Sequence, residues 1–417
     1  MNVSLLFLGG LLTASSLHGQ AQPTVRIELQ AAPATHSFTC RYTLRLPADT
    51  ASTLVLHLSR QFRVEQVHAP GGVAQRVERI FYPYFADTVQ RVTVRFAGPA
   101  RKGRQLTLTY AGALPQRTFT DQAELYSGHS GWLPYRPYRE YELVHYTLEV
   151  QVPPGYTVRS TSPARKQRRG SWTFAGTTSA LEPTALIARQ FAELASPRRV
   201  VTVIKAGAAP VAADSALLRK AEAVIGFYNR TIGRQDSIRQ FRVLLPGTNA
   251  NANAFGLLDN ATVITYARFD VQDRADLLIL AHEISHKWWG YGSVHDENDW
   301  LNEAFATYSS LLYLQASGDS AGYQERLAQL TESAAGTPAI IGFNRYQHPP
   351  AMYRRVIYNK GTVVLAALHA RLGTEKFVAL LAAAAKRQVS TTEALLAVTE
   401  QVAGADTRAW LRARLSE

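Results

Sequence analysis

The segment His282-Glu-Ile-Ser-His286 is the most informative part of this 417-residue sequence. It lies near the end of a predicted helix from Leu277 to Trp289, which Gly290 ends. Residues i and i+4 lie one turn apart on the same face of a helix, so both imidazoles can reach one metal ion. Glu283 lies beside them, close enough to polarise a water molecule but badly placed to be a third ligand. Zinc is the first choice for two imidazoles, one carboxylate and an open coordination position.

A second predicted helix supplies the third ligand. The run Asp299-Trp-Leu-Asn-Glu-Ala-Phe-Ala-Thr-Tyr308 begins with an aspartate expected to cap the helix, and it places Glu303 in the first turn. A glutamate that only eased the helix dipole would not explain this run. Sixteen residues separate His286 from Glu303, enough for a loop that returns the second helix against the first. We expect one zinc ion per chain, held by His282, His286 and Glu303.

The two halves of the chain differ in hydrophobic period. From about Thr24 to Lys205, short segments such as Val25–Leu29 alternate apolar and polar residues, which predicts antiparallel β-sheets. After about Gly207 the period becomes helical, apart from one strand predicted at Phe241–Leu245. The sequence therefore predicts an α+β protein. Its antiparallel β-rich domain covers residues 22–205, and its mainly helical catalytic domain covers residues 206–417.

Residues 1–21 are predicted to be an export signal. Leu5 to Leu12 is an apolar core too short to span a bilayer, and Gly19-Gln-Ala21 offers a cleavage site between small residues. No other stretch approaches transmembrane length. We therefore expect a secreted or periplasmic protein with no stable membrane insertion after cleavage of the signal.

The amino-acid composition limits the classes of molecule that this protein is expected to bind. The net charge is +13, but the basic residues are scattered arginines with one small cluster at residues 165–169. No nucleic-acid-binding motif accompanies that cluster, so a nucleic-acid partner is not expected. The single cysteine, Cys40, lies in an alternating apolar stretch and is expected to be a buried strand thiol.

Four stretches together resemble the zinc aminopeptidases of the aminopeptidase N type, a family of the thermolysin-like clan. Their order and approximate spacing match the family, and the resemblance spans essentially residues 205–417, with a weaker likeness in the β-rich half. It implies a thermolysin-like catalytic domain and peptide substrates. The four stretches are His282-Glu-Ile-Ser-His-Lys-Trp-Trp-Gly290, Trp300-Leu-Asn-Glu-Ala-Phe-Ala-Thr-Tyr308, Gly256-Leu-Leu-Asp-Asn260 with Val263-Ile-Thr-Tyr266, and Val356-Ile-Tyr-Asn-Lys-Gly361.

The resemblance implies roles for single residues. His282, His286 and Glu303 would be the zinc ligands, and Glu283 the general base that later passes the proton to the leaving amine. Tyr358 would donate its hydroxyl proton in a hydrogen bond to the oxyanion of the tetrahedral intermediate. Loss of such a donor typically lowers turnover by about 10²–10³-fold.

The segment Gly256, Leu257, Leu258, Asp259 and Asn260 matches the family motif Gly-x-Met-Glu-Asn. In that motif, backbone groups lie along the substrate like an added strand, and the carboxylate binds the free α-amine. The resemblance therefore implies removal of residues from the N-terminus of a peptide.

Three departures from the family motif bear on this expectation. Asp259 is one methylene shorter than the usual glutamate, and a misplacement of about 1 Å can lower a rate about 100-fold. The gap before the third ligand is sixteen residues instead of the usual eighteen, so the loop from Tyr291 to Asn298 must be tighter. The sequence also ends where the catalytic domain of relatives ends, which predicts a short form without the later β-sandwich and helical domains. Its cleft would be more open unless another subunit covers it.

Two alternatives to an aminopeptidase stay open. Asp259 and an open cleft would also suit a peptidase with an altered or relaxed requirement for a free N-terminus. An inherited peptidase fold could instead serve a non-catalytic peptide-binding protein, which predicts a damaged metal site. The oligomeric state and the side chain preferred at the cleavage site are not predicted.

The remaining aromatic residues near the two helices have structural expectations only. Trp288, Trp289 and Trp300 are expected in the core, and His295 is expected to be solvated.

Overall fold

The computed structural model describes residues 22–47, 51–98, 103–207, 209–248, 254–266 and 268–417. The predicted export signal, residues 1–21, lies outside these ranges. No helix within them is long and apolar enough to cross a membrane. The strands of the N-terminal half are β1 (Thr24–Ala32), β2 (Ser37–Leu46), β3 (Thr53–Ser59), β4 (Arg63–His68), β5 (Gly72–Tyr82), β6 (Asp87–Phe96), β7 (Arg104–Ala113), β8 (Ala123–Tyr126), β9 (Leu143–Gln151), β10 (Thr157–Arg159), β11 (Lys166–Arg168), β12 (Ser171–Ser179) and β13 (Ala185–Ala188).

Within the described residues, three sheets contribute to the core of the β-rich domain, one of them with the strand order β10-β13-β8. Among the described residues, one sheet has seven strands in the order β11-β12-β9-β1-β2-β7-β4, and a second has the order β3-β6-β5. Neighbouring strands are antiparallel, as predicted, except for the parallel pair β1 and β9. Burial alternates along β2 because successive side chains point to opposite faces, and Cys40 lies on the buried face.

The C-terminal half is built on a mixed sheet that the sequence did not predict. Its strands are β14 (Phe191–Ala195), β15 (Val201–Ala206), β16 (Phe241–Leu245), β17 (Ala254–Leu257) and β18 (Ala261–Ile264). The order is β14-β15-β16-β18-β17, in which β15, β16 and β18 run parallel. The strands β14 and β15, which the sequence assigned to the β-rich domain, therefore pair with strands of the C-terminal half. Their alternating pattern alone could not reveal which sheet they join.

Helices cover most of the remaining chain. They are α1 (Ala212–Arg230), α2 (Arg274–Ser285), α3 (Trp300–Ala316), α4 (Ser320–Ala334), α5 (Pro350–Tyr353), α6 (Gly361–Lys386), α7 (Thr392–Ala403) and α8 (Ala405–Ser416). A π-helical segment, Arg354–Lys360, joins α5 to α6. The segments predicted as two helices, Gly361–Leu372 and Phe377–Ala385, lie within α6, which is interrupted at Gly373 with a φ of 71°.

The predicted helix ending at Gly290 is shorter than expected. Helix α2 ends at Ser285, because the tryptophans that follow turn into the core instead of continuing the helix. The indole nitrogen of Trp288 donates to the Asp236 carbonyl at 2.8 Å, and that of Trp289 donates to the Ser309 hydroxyl at 3.0 Å. The expectation that both tryptophans and Trp300 are core residues is confirmed.

The expected cap at Asp299 is wrong. A short 3₁₀ turn, Glu297–Asp299, precedes α3, so Asp299 already has helical dihedral angles and makes no capping hydrogen bond. Its buried carboxylate instead accepts hydrogen bonds from the Asn302 amide at 2.8 Å and the Tyr353 hydroxyl at 2.5 Å. A capping side chain needs an extended residue before the first turn, and that condition fails here.

Candidate active site

Helices α2 and α3 bring the three predicted zinc ligands together. The Nε2 atoms of His282 and His286 are 3.1 Å apart. The Oε2 atom of Glu303 lies 3.3 Å from His282 Nε2 and 3.8 Å from His286 Nε2. Zinc bonds of about 2.0–2.1 Å in tetrahedral geometry separate neighbouring ligand atoms by roughly 3.3 Å. The three side chains therefore form a triangle that zinc fits, which we call the ligand triangle.

The hydrogen bonds around the triangle also suit a cation. The Nδ1 atom of His286 lies 2.6 Å from the Trp289 carbonyl oxygen, which can only accept. The proton of this imidazole is thus assigned to Nδ1, which leaves a lone pair on Nε2 directed at the other two ligand atoms. Burial alone would raise the pKa of Glu303, but its hydrogen bond with His282 and the charge that His286 carries when it is protonated lower that pKa to about 2. The Glu303 carboxylate is therefore ionised, and a cation that replaces the proton of His286 meets a neutral imidazole. An ionised carboxylate and a free imidazole lone pair facing one point make a donor set for a divalent metal.

Glu283 lies next to the triangle, and a carboxylate oxygen of Glu283 and one ring nitrogen each of His282 and His286 lie within 4.8 Å of one another. Its Oε2 atom is 4.0 Å from His286 Nε2, and it accepts a hydrogen bond from the backbone nitrogen of Gly256 at 2.5 Å. Burial raises the pKa of Glu283 to about 7, with Glu303 adding to the shift and His286 opposing it. The structure therefore holds this carboxylate at the edge of the candidate site, where a proton acceptor would be needed.

Tyr358 lies on the π-helical segment and faces the same site. Its ring is parallel to that of His282 at a centroid distance of 6.3 Å, and its hydroxyl interacts with Glu303. Burial raises the pKa of Tyr358 well above its usual value, so the hydroxyl keeps its proton at neutral pH. Single π-helical turns are frequent at functional sites because they rotate side chains out of the regular helical register.

Two glycines in the recognised stretches permit close approach of the elements that form the site. A Cβ on Gly361 would lie 2.5 Å from the Cβ of Ala304, next to the predicted ligand Glu303. A Cβ on Gly256 would lie 2.0 Å from the Glu283 carbonyl oxygen. Each position therefore requires glycine because any side chain would push an element away from the ligand triangle.

The predicted substrate segment is split between two environments. Gly256 and Leu257 belong to β17, the edge strand that lies along α2, whereas Leu258, Asp259 and Asn260 form the turn into β18. Asp259 is turned toward the β-rich domain, where its Oδ2 atom accepts a hydrogen bond from the Thr161 hydroxyl at 2.5 Å. Its Oδ1 atom is buried and has no hydrogen-bond partner among the described residues. Asp259 is also absent from the described residues that line the cavity beside the ligand triangle.

His295 does not lie where the sequence placed it. The sequence predicts a solvated loop histidine, but only 12% of its side chain is exposed, and its Nε2 atom lies 2.5 Å from Glu140 Oε2. Glu140 comes from the β-rich domain, so no local pattern around His295 could have identified this partner. His295 takes no part in the ligand triangle.

Sequence reasoning also missed two arginines beside the site. Arg326 on α4 and Arg354 on the π-helical segment line the cavity together with His282, Glu283 and Tyr358. Arg354 precedes Tyr358 by four residues, a spacing that could have placed both on one helical face. No motif marks Arg326.

Sequence comparison links this chain to peptidases. Residues 256–406 match the family model described as the Peptidase family M1 domain. Aminopeptidase M1-D of Oryza sativa subsp. japonica is 28% identical over 174 residues, which cover 36% of this chain and 20% of that protein. Probable aminopeptidase 1 of Sulfurisphaera tokodaii is 35% identical over 109 residues, 24% of this chain and 14% of that protein. The matched stretch spans a fifth or less of the length of these curated relatives.

Solved structures with similar folds cover nearly the whole chain. A two-domain M1 zinc metallopeptidase, a mutant bound to L-tryptophan, has a TM-score of 0.69 and 21% identity, covering 96% of this chain and 95% of that chain. The M1 zinc metallopeptidase of Deinococcus radiodurans has a TM-score of 0.68 and 20% identity, with 95% of each chain covered. A mutant of the latter is bound to a Tyr-Ser-Ala substrate. The likeness confirms the predicted α+β fold, a β-rich domain followed by a helical one.

Proposed function

Because residues 256–406 match the Peptidase family M1 domain, we propose that this chain is a zinc-dependent aminopeptidase. The observation that carries this proposal is the ligand triangle, in which His282, His286 and Glu303 face one point at distances that suit one zinc ion. When bound, zinc supplies Lewis-acid polarisation of the attacking water and of the scissile carbonyl. A non-catalytic scaffold would not need this donor set.

Glu283 is the proposed general base. It takes a proton from the attacking water and returns it to the amine nitrogen that leaves. The hydrogen bond from the Gly256 backbone nitrogen to Glu283 Oε2 holds the carboxylate in one orientation. This bond also ties the base to the edge strand β17, along which a peptide would lie.

Tyr358 is the proposed oxyanion donor. Its burial keeps the hydroxyl protonated, and it lines the cavity that reaches His282 and Glu283. A protonated hydroxyl can donate to the oxygen on which negative charge develops during attack on the peptide bond.

Asp259 is the proposed partner of the substrate α-amine. The unpaired, buried Oδ1 atom would gain a hydrogen-bonded cation if an ammonium group bound there. Since Asp259 is engaged with Thr161 and is not among the described lining residues, a relaxed requirement for a free N-terminus is the second candidate. Cleavage of a free-amine peptide and its N-acetylated form separates the two: equal rates would exclude the exopeptidase.

The decisive experiment is the substitution Glu283→Gln. The variant should still bind about one zinc per chain, because Glu283 is outside the ligand triangle. It should hydrolyse aminoacyl fluorogenic amides at least about 10³-fold more slowly, because the attacking water loses its general base. Zinc content by mass spectrometry and initial rates are measured together. The matched control, Glu375→Gln, changes an exposed glutamate on α6 and should behave as wild type. Activity that survives in Glu283→Gln would refute the mechanism.

A further inference from the structure

The cavity beside the ligand triangle has a cationic wall. Its volume is about 670 Å³, and α2, α3, α4 and the π-helical segment line it. His282, Glu283 and Tyr358 lie in this lining, and so do Arg326 and Arg354. A peptide bound at the site would therefore lie within reach of both guanidinium groups.

These two arginines differ from the third one in the lining. Arg274 is neutralised by Asp319 at 2.8 Å and Glu325 at 2.9 Å. Arg326 and Arg354 form no ion pair within the described ranges: Arg326 donates only to the neutral Gln329 side chain at 2.9 Å. The guanidinium of Arg354 lies over the Tyr358 ring, 4.5 Å from its centroid.

The acidic groups of the lining are already engaged elsewhere. Asp273 accepts a hydrogen bond from the backbone nitrogen of Ala275 at 2.6 Å, and Glu283 accepts one from Gly256. Burial and the charge of Arg354 both lower the pKa of Arg326, so the two like charges influence each other. A carboxylate between them would relieve this repulsion and could accept charge-assisted hydrogen bonds from both.

The position of Arg354 sets how far the charge lies from the scissile bond. Its guanidinium stacks on the Tyr358 ring, and that ring lies 6.3 Å from the His282 ring. The guanidinium is therefore within roughly 11 Å of His282, the length of about three extended residues. A guanidinium stacked on an aromatic ring still presents its planar fork of donors, which suits recognition of a carboxylate.

We propose that Arg326 and Arg354 form a carboxylate-binding subsite that selects peptides with a negative charge within about three residues of the scissile bond. This inference rests on the proposed peptidase function and names its substrate class. The carboxylate comes from an acidic side chain or from the C-terminus of a short peptide, since both present the same group.

Matched peptides separate the two sources. Zinc-loaded enzyme is assayed with Leu-Gly-Gly as free acid and as amide, and with the amides of Leu-Gly-Glu and Leu-Gly-Gln. We expect kcat/KM to favour the charged member of at least one pair about tenfold, mainly through KM, because a ground-state carboxylate contact strengthens binding. The first pair reports a C-terminal carboxylate and the second an acidic side chain.

Substitutions assign the preference to the two arginines. In Arg326→Gln and Arg354→Gln, the ratio of charged to neutral kcat/KM should fall to about threefold or less, and in the double variant to about one. Taking the ratio within each variant cancels any general loss of activity. The control, Arg371→Gln, removes an exposed arginine on α6 that lies over the Trp410 ring and not in the lining, and it should keep the wild-type ratio.

Binding to the inactive Glu283→Gln chain gives a second readout. Calorimetry should show tighter binding of the charged peptides, and Arg354→Gln should reduce the difference to about threefold or less. Equal binding and equal kcat/KM of charged and neutral peptides in wild type would overturn the subsite while leaving the peptidase intact. If no peptide is hydrolysed, the proposed function fails, and calorimetry alone then decides on the subsite.

Discussion

At the residue scale, Asp259 occupies the carboxylate position of the family motif but is hydrogen-bonded to a residue of the β-rich domain. The Thr161 hydroxyl from the β-rich domain donates to one carboxylate oxygen, and the other oxygen is buried without a partner among the described residues. Burial, opposed by the Thr161 hydrogen bond and aided by the charge of Glu182, raises the pKa of Asp259 to about 7. The surroundings of this carboxylate therefore disfavour its ionised form.

A raised pKa makes a signed prediction for Asp259→Asn. Below about pH 4 Asp259 is protonated in both the folded and the unfolded chain, so its ionisation takes nothing from the free energy of unfolding. As the pH rises toward 7, the unfolded chain ionises first, so the wild type loses stability. Asn cannot ionise, so the variant should be more stable than wild type at pH 8 by about 1–2 kcal/mol, a value reduced because Asp259 is only partly buried.

Denaturant unfolding at pH 4 and pH 8 measures this difference. The control Asp121→Asn alters an exposed loop aspartate and should show no change between the two pH values. A variant that is less stable than wild type at pH 8 would contradict the argument.

At the element scale, the site depends on how closely α6 and the π-helical segment approach α3. Gly361 begins α6 against Ala304, and Tyr353 on α5 donates to Asp299 just before α3. The Lys360 ammonium donates to the carbonyl oxygens of Thr337 and Pro338. These contacts fix the π-helical segment, and with it the position of Tyr358 opposite the ligand triangle.

Gly361→Ala should separate these two elements. The new Cβ would lie 2.5 Å from the Ala304 Cβ, so α6 must move, and we expect a loss of about 1–3 kcal/mol in the free energy of unfolding. Movement at Ala304 also displaces Glu303, so zinc affinity should fall. Thermal unfolding and zinc titration test both effects. Gly226→Ala in α1 meets only the flexible end of Arg230 and should be neutral or slightly stabilising, which separates crowding from the effect of alanine itself.

At the scale of the whole molecule, the two domains meet through polar and apolar contacts near the site. Glu140 of the β-rich domain is fully buried and binds His295, which lies in the loop between the two ligand-bearing helices. The hydroxyl of Tyr82 also donates to Glu140. A small apolar cluster that includes Leu125, Leu186 and Ile204 joins the domains on another side. The β-rich domain therefore supports the loop that positions Glu303.

His295→Ala should weaken this contact between the domains. It leaves Glu140 buried without its imidazole partner, and loss of one member of a buried pair typically lowers stability by about 3 kcal/mol. Denaturant unfolding measures the loss. His145→Ala removes an exposed strand histidine and should stay within about 0.5 kcal/mol of wild type. If both variants unfold alike, the pair contributes nothing to domain contact.

By itself, the sequence determined the two-part α+β architecture and the candidate ligands. Both follow from local geometry, because the two-residue period of a strand and the one-turn spacing of His282 and His286 need no distant partner. Tertiary structure alone decided that β14 and β15 join the mixed sheet of the C-terminal half, that Asp259 faces Thr161, and that Arg326 and Arg354 line the same cavity. The direction of each of these side chains and the pairing of each strand depend on packing between segments far apart in the chain. A local pattern carries no record of those contacts.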